Sequence, residues 1–200
     1  DAQASTKPAP IWTPLGVVCS ICSGQTFGGG HVCEICKAPL LRGILVTDGR
    51  RLSPQRDAID SEANELFFGG GAGGGKTDLI VGVAVTEHYN SIIFRREFVQ
   101  FRGAEGMWER SKQIIGLNGD PNDGVLTWRN LPGGRALECG AVQHEKHRRK
   151  YMGRPHDLKA FDELPQMPEM LYRFLIGWLR TTLPGQRCRV IGTGNPPMNE

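Results

Sequence analysis

Apolar residues along the chain fall in short runs separated by glycine, proline and polar turns, and the runs alternate between strand and helix character. Leu66, Phe67 and Phe68 read as a buried strand. The run breaks into glycines, and Lys76-Thr77 opens a helix that carries Leu79, Ile80, Val81, Val83, Ala84 and Val85. SIIFRREF (91–98) is a second buried strand with Arg95 and Arg96 at its end. Residues 99–116 read as a helix whose apolar set is Phe101, Met107, Trp108, Ile114 and Ile115. VLTW (125–128) and RALECG (135–140) are strands joined by a hairpin turn from Arg129 to Gly134. Leu158 to Glu163 reads as a strand ending in two acids, with Lys159 an unusual intruder. A helix over 168–180 sets Leu171, Phe174, Leu175, Trp178 and Leu179 on one side, and RCRVIGTGNPP closes with a strand, Cys188 to Ile191, ending at Thr193-Gly194-Asn195. Strands alternating with helices predict an α/β fold with a parallel sheet that includes 65–69, 91–95, 157–162 and 187–193.

Within the glycine break, Gly70, Gly71, Ala72, Gly73, Gly74, Gly75, Lys76 and Thr77 match G-x-x-x-x-G-K-[ST], a phosphate-binding loop between a strand and a helix. A triphosphate is wrapped by backbone N–H groups, which demands φ angles and close approaches that glycine tolerates. The following helix N-terminus adds partial positive charge. Lys76 is placed for the β- and γ-phosphates of ATP, and Thr77 for Mg2+. Gln55, beside Pro54 and upstream of the loop, is placed for adenine, since a side-chain amide both donates to and accepts from a base edge. Asp162 is the expected second Mg2+ ligand, and Glu163 the group that orients and deprotonates water. Thr193 and Asn195 end their strand where polar side chains face the γ-phosphate.

Two hundred residues allow one ordinary domain and a small one. Residues 1–14 read as a poorly ordered lead-in, 15–41 as a small module, 42–51 as a linker and 52–200 as the P-loop domain. Cys19, Cys22, Cys33 and Cys36 form CxxC-x10-CxxC, the spacing of a zinc-ribbon-like tetrahedral Zn2+ site, with two disulfides as the alternative. Cys139 and Cys188 read as ordinary buried residues. Glycine is high at 27 of 200, but the excess lies in 28–30 and 69–75. The net charge of +3 does not by itself announce a nucleic-acid partner, although HEKHRRKYMGRPHDLK (144–159) is the strongest basic run. No stretch is apolar enough to span a bilayer, and none reads as a signal peptide. The chain opens without Met and stops just after Pro196-Pro197, as a fragment would.

The glutamate directly after the aspartate, with a further strand between loop and acids, belongs to P-loop ATPases of the additional-strand, catalytic-glutamate type. The ordered set also resembles one family: the ATPase domain of the large terminase subunit of tailed bacteriophages. The resemblance rests on Gln55, GGAGGGKT, IIFRREFVQFRG (92–103), the Pro-Gly-Gly hairpin, KYMGR (150–154), FDE (161–163) and TGNP (193–196). It implies an ATP- and Mg2+-dependent motor that drives double-stranded DNA into a procapsid in the host cytoplasm. It further implies a homo-oligomeric ring docked on the portal, a small terminase subunit as partner, and a nuclease domain that follows. By position it makes Asp162 the Walker B acid, Glu163 the catalytic base, Thr193-Gly194-Asn195 the coupling motif and Gln55 the adenine-side glutamine. Many members carry an arginine inside the loop. Here only Gly and Ala precede the lysine, which leaves Arg95, Arg96, Arg102 or Arg154 to supply an arginine finger. The zinc module is not general in the family. A helicase- or recombinase-like ATPase, or a zinc-knuckle nucleic-acid-binding module with a degenerate ATPase, are the competing readings.

Overall fold

A computed structural model describes residues 54–71, 73–103 and 106–195, together with the backbone of three short strands nearer the amino terminus. Those strands, β1 (Trp12–Thr13), β2 (Gly16–Val18) and β3 (Gln25–Thr26), form an antiparallel sheet with β2 in the middle. Cys19, Cys22, Cys33 and Cys36, expected to hold zinc, lie outside the described residues, as does Ala72 of the glycine loop.

The main sheet comprises β4 (Glu65–Gly69), β5 (Asn90–Arg95), β6 (Asp120–Asn122), β7 (Thr127–Leu131), β8 (Arg135–Ala141), β9 (Leu158–Phe161) and β10 (Arg189–Gly194). Their spatial order is β4-β10-β9-β5-β8-β7-β6; the first five run parallel, β7 runs antiparallel to β8, and β6 antiparallel to β7. After β4 the chain skips two positions before laying down β5. It fills them later, with β9 and then β10. The late strands thereby carry the acids and the TGN segment to the side of the glycine loop. Register holds the carboxyl ends level: Gly194 pairs with Gly69, Gly192 with Phe161, and Phe161 with Phe94.

Helix α2 (Lys76–Thr86) follows the loop and is apolar on all sides, so it is buried on all sides, touching β5, β8, β10, α1 (Pro54–Asp60) and α3 (Met107–Ile115). Leu79, Ile80, Val81, Val83 and Val85 are fully buried; at roughly 2 kcal/mol each they contribute on the order of 10 kcal/mol before chain entropy. That anchors a helix whose N-terminus follows a run of glycines. Asp78 in its first turn takes a paired ion contact from Arg110 of α3, with Nε and Nη2 at 2.6 Å from the two carboxylate oxygens. Helix α1, begun by Pro54 at its first position, was not legible as a helix. Arg189 of β10 holds its far end through Nη2 to the Ala58 carbonyl at 3.0 Å.

Three expected boundaries move and one expected burial changes, each for a local reason. The helix expected over 99–116 is a 3₁₀ turn (Phe98–Phe101) and then α3, because Gly103 takes φ 125° and the chain folds back so closely that a Cβ on Gly106 would stand 2.4 Å from the Phe101 carbonyl oxygen. The first hairpin strand begins at Thr127 rather than 125, since buried Leu126 adopts φ 51°. The helix expected to reach 180 is α4 (Glu169–Ile176), capped by Gly177. Leu66–Phe68 is not fully buried: β4 is an edge strand, with Leu66 and Phe68 against the core and Phe67 half exposed. Cys139 is buried as expected, while Cys188 is only partly so.

Lys159, the apparent intruder, is fully buried in β9, and its Nζ donates to the Leu175 carbonyl of α4 at 2.7 Å. The last carbonyls of a helix lack intrahelical partners and carry negative partial charge, so a lysine stem crossing the sheet face finds an acceptor there. Burial, then the charges of Arg154 and Arg180, push its pKa down to about 8. The unfolded chain keeps this amine protonated up to about pH 10.4. Between those values the unfolded state binds the extra proton, so this residue makes the fold more stable as pH rises. Denaturant unfolding of wild type and Lys159→Met should therefore show a stability difference that is largest near pH 7.5 and shrinks toward pH 10. Parallel profiles would mean the amine is not paying a burial cost.

Candidate active site

The loop, the acids and the TGN segment converge at the carboxyl ends of β4, β9 and β10. Gly73 and Gly75 take φ 76° and 70°, the left-handed conformation that favours glycine. An added Cβ on Gly70, Gly71 or Gly73 would meet open space, so the loop presents bare backbone outward. Behind it stands Gln55 of α1, buried, with Nε2 donating to the Gly74 carbonyl at 3.2 Å. The fit is tight enough that a Cβ on Gly75 would lie 2.3 Å from Gln55 Nε2. Gln55 thus supports the loop from behind, a contact that its placement upstream did not reveal.

Lys76 is buried at the start of α2. Its ammonium donates to the Gly70 and Gly71 carbonyls at 2.9 and 2.8 Å and to Asn195 Oδ1 at 2.9 Å. Asn195 therefore joins the end of β10 to the loop directly, and Gly70 N–H adds a backbone bond to the Gly194 carbonyl at 3.3 Å. Thr77 follows in the first helical turn, whose N–H groups have no intrahelical acceptor.

Asp162 is buried immediately after β9 and has both oxygens engaged. Thr193 Oγ1 donates to Oδ1 at 2.7 Å, and Arg95, from the end of β5, donates to Oδ2 through Nε at 2.7 Å and also through Nη2. Arg95 Nη1 reaches the Gln100 carbonyl. Three adjacent parallel strands are thus tied through one carboxylate. Glu163 adopts φ 56°, ψ 49°, unusual for a residue with a side chain, which turns it away from the line of the strand. Among the described residues no hydrogen bond or ion pair engages its carboxylate, and it is partly exposed.

Of the four arginines considered for a finger, only Arg95 touches the acidic pair. Arg96 donates to the Val142 carbonyl at 3.1 Å, Arg102 to the Asp123 carbonyl at 2.6 Å, and Arg154 to Glu138. The donor set fits a magnesium nucleotide: an inward lysine on bare loop backbone, a hydroxyl at the helix start, and a buried carboxylate with a second hydroxyl. Among the described residues there is no cluster of His, Cys, Asp or Glu suited to another metal, and no helix is long and apolar enough to cross a membrane.

No known family profile matches the chain, and no curated protein matches it in sequence. Its fold is similar to that of the large terminase from a thermophilic bacteriophage, with a TM-score of 0.50 and 14% identity over 72% of this chain and 38% of that one. It is likewise similar to the HK97 bacteriophage large terminase, with a TM-score of 0.52 and 13% identity over 72% of this chain and 33% of that one. The chain spans well under half the length of either. At such identities the likeness shows the fold, a mostly parallel α/β sheet of the kind those terminases contain.

The Arg95–Asp162 pair makes a prediction that needs no nucleotide. Removing one partner of a buried pair leaves an uncompensated charge and costs about 3 kcal/mol or more. Arg95→Ala should lower the melting temperature, and added Mg2+ or Mn2+ should restore part of the loss by taking the vacated place on Asp162. Melting followed by fluorescence with and without the cation reads this out. A variant that melts like wild type, or that ignores the cation, would show that Arg95 is not the counter-charge of this carboxylate.

Proposed function

We propose that this chain is the ATP-hydrolysing motor domain of a terminase-like enzyme that moves double-stranded DNA. The observation that carries the reading is the series of contacts along the carboxyl edge. Lys76 binds the carbonyls of the glycine loop and Asn195, and Thr193, two residues earlier on the same strand, binds Asp162. A structural glycine turn has no need of a buried lysine aimed at its own carbonyls, nor of a buried acid two strands away.

In this reading the loop amides and Lys76 grip the β- and γ-phosphates, and Gln55 braces the loop and stands on the adenine side. Thr77 and Asp162 would hold Mg2+, which when bound neutralises charge on the phosphates. Glu163, unpaired and turned out of the strand line, accepts the proton of the attacking water. Thr193 and Asn195 sense the occupant of the loop, since each touches a group that must change partners when phosphate arrives. Arg95, released from Asp162, is the arginine best placed to meet developing charge in the same subunit. The duplex, the portal and procapsid, the small terminase subunit and a ring of copies in the host cytoplasm follow as partners and setting. Cys19, Cys22, Cys33 and Cys36 would bind one Zn2+, and metal analysis of reduced protein should find one zinc per chain.

The acidic pair divides the labour. Glu163→Gln keeps size and shape but cannot accept a proton, so ATP binding should stay near wild type while turnover falls by ~10²–10⁴-fold. Lys76→Ala should weaken binding itself. Equilibrium nucleotide binding and steady-state turnover, measured on both variants, separate the two effects. Turnover at the parental rate in Glu163→Gln would remove the catalytic assignment.

A further inference from the structure

The basic run is the feature that the nucleotide site leaves unused. Residues Glu145–Tyr151 form a 3₁₀ helix directly after β8 and its short exit. A 3₁₀ helix has three residues per turn, so positions i and i+3 eclipse and stand ~6 Å apart. This sorts the run into faces. His144 and His147 lie together, with ring centroids 5.2 Å apart. Glu145, Arg148 and Tyr151 form the docking face: Arg148 pairs with Glu145 at 3.0 Å and lies over the Phe174 ring of α4 at 4.8 Å. Tyr151 is buried, its hydroxyl donating to the Ala141 carbonyl at 3.2 Å. The third face carries Lys146 and Arg149. Both are exposed, and neither has an acidic partner among the described residues.

The inward arginine has its acid and the outward cations have none, so the charge is presented rather than balanced. Partial burial, then His144, Lys150 and Lys146, hold the pKa of His147 below the ordinary histidine value, as a locally positive field requires. His144, Glu145, Lys146, Arg148 and Arg149 line a surface cleft of about 610 Å³ that contains no apolar side chain. An acidic peptide would need an apolar anchor there to bind with specificity; a phosphate backbone needs only cations at fixed spacing. The helix is also stiffly mounted. Tyr151 meets Phe94 edge-on at 5.0 Å, and Phe94 stacks on Phe161 at 5.2 Å, the residues just before Arg95 and Asp162.

We propose that the Lys146–Arg149 face is a grip for the phosphate backbone of duplex DNA. The proposal rests on the reading of the chain as a DNA-moving ATPase, and the experiment separates the two. A labelled duplex of about 30 bp is titrated with wild-type chain by fluorescence anisotropy across a salt series, then with Lys146→Ala/Arg149→Ala. Arg129→Ala, at an exposed position of β7, serves as the control. Each lost phosphate contact lowers the slope of log affinity against log salt by about 0.9, so the double variant should lose about two. The control should lose nothing, and all three proteins should melt alike. Duplex binding with an unchanged slope in the double variant would overturn this surface and leave the motor reading standing. Absence of duplex binding by the wild type would overturn both. Tighter binding of poly-glutamate than of duplex at equal salt would overturn the nucleic-acid assignment.

Discussion

Everything at the carboxyl edge hangs on the Asp162 carboxylate. It is buried, and both of its oxygens are satisfied from neighbouring strands, Oδ1 by Thr193 of β10 and Oδ2 by Arg95 of β5. A buried carboxylate without such partners would cost several kcal/mol. The contacts therefore do more than decorate three strand ends. They fix the relative heights of β5, β9 and β10, and through Asn195 and Lys76 they fix the loop after β4 as well. The loop and the acid are held at one edge of the sheet by charge compensation between strands distant in sequence.

The same logic explains why the groups expected to meet a nucleotide already have partners. Lys76 rests on two loop carbonyls and an amide oxygen, and Asp162 on a guanidinium and a hydroxyl. Each borrowed partner is one that phosphate or a cation could displace without leaving an unpaired buried charge. Glu163 is the exception. Its left-handed backbone, at a cost of about 1–2 kcal/mol, keeps it out of this network, and among the described residues its carboxylate has no hydrogen-bond or ion-pair partner.

Much of this was legible in the residues. The glycine loop, the strand ending in Asp162-Glu163 and the strand ending in Thr193-Gly194-Asn195 each announce themselves by a run of apolar residues stopping at polar ones. Their parallel placement follows from the alternation of strands with helices. Four things were not legible, and for physical reasons. The skipped positions beside β4 are filled by strands far downstream, a matter of topology that local pattern does not encode. Lys159 violates the apolar pattern because its acceptor, the Leu175 carbonyl, belongs to an element sixteen residues on. Gln55 gives no local sign of bracing Gly74, since a helix of seven residues carries too little periodicity to be seen. Among four arginines of equal promise, only the three-dimensional pairing with Asp162 distinguishes Arg95.

The stack of rings behind the acids then constrains how the site can move. Phe94 and Phe161 are in contact, and each immediately precedes one member of the Arg95–Asp162 pair. Any motion that separates the pair must shift these rings against one another, or against Tyr151 and Tyr172, which close on them edge-on. A ring pair of this kind is worth about 0.5–1.5 kcal/mol beyond its buried area. A charge-assisted hydrogen bond is worth about 1.5–3 kcal/mol, and Arg95 makes two to one oxygen. The electrostatic change is therefore the larger effect, and the rings follow it rather than resist it. Phe161, Phe94 and Tyr151 thus form one contiguous series of close-packed rings from the residue before Asp162 to the last residue of the basic helix.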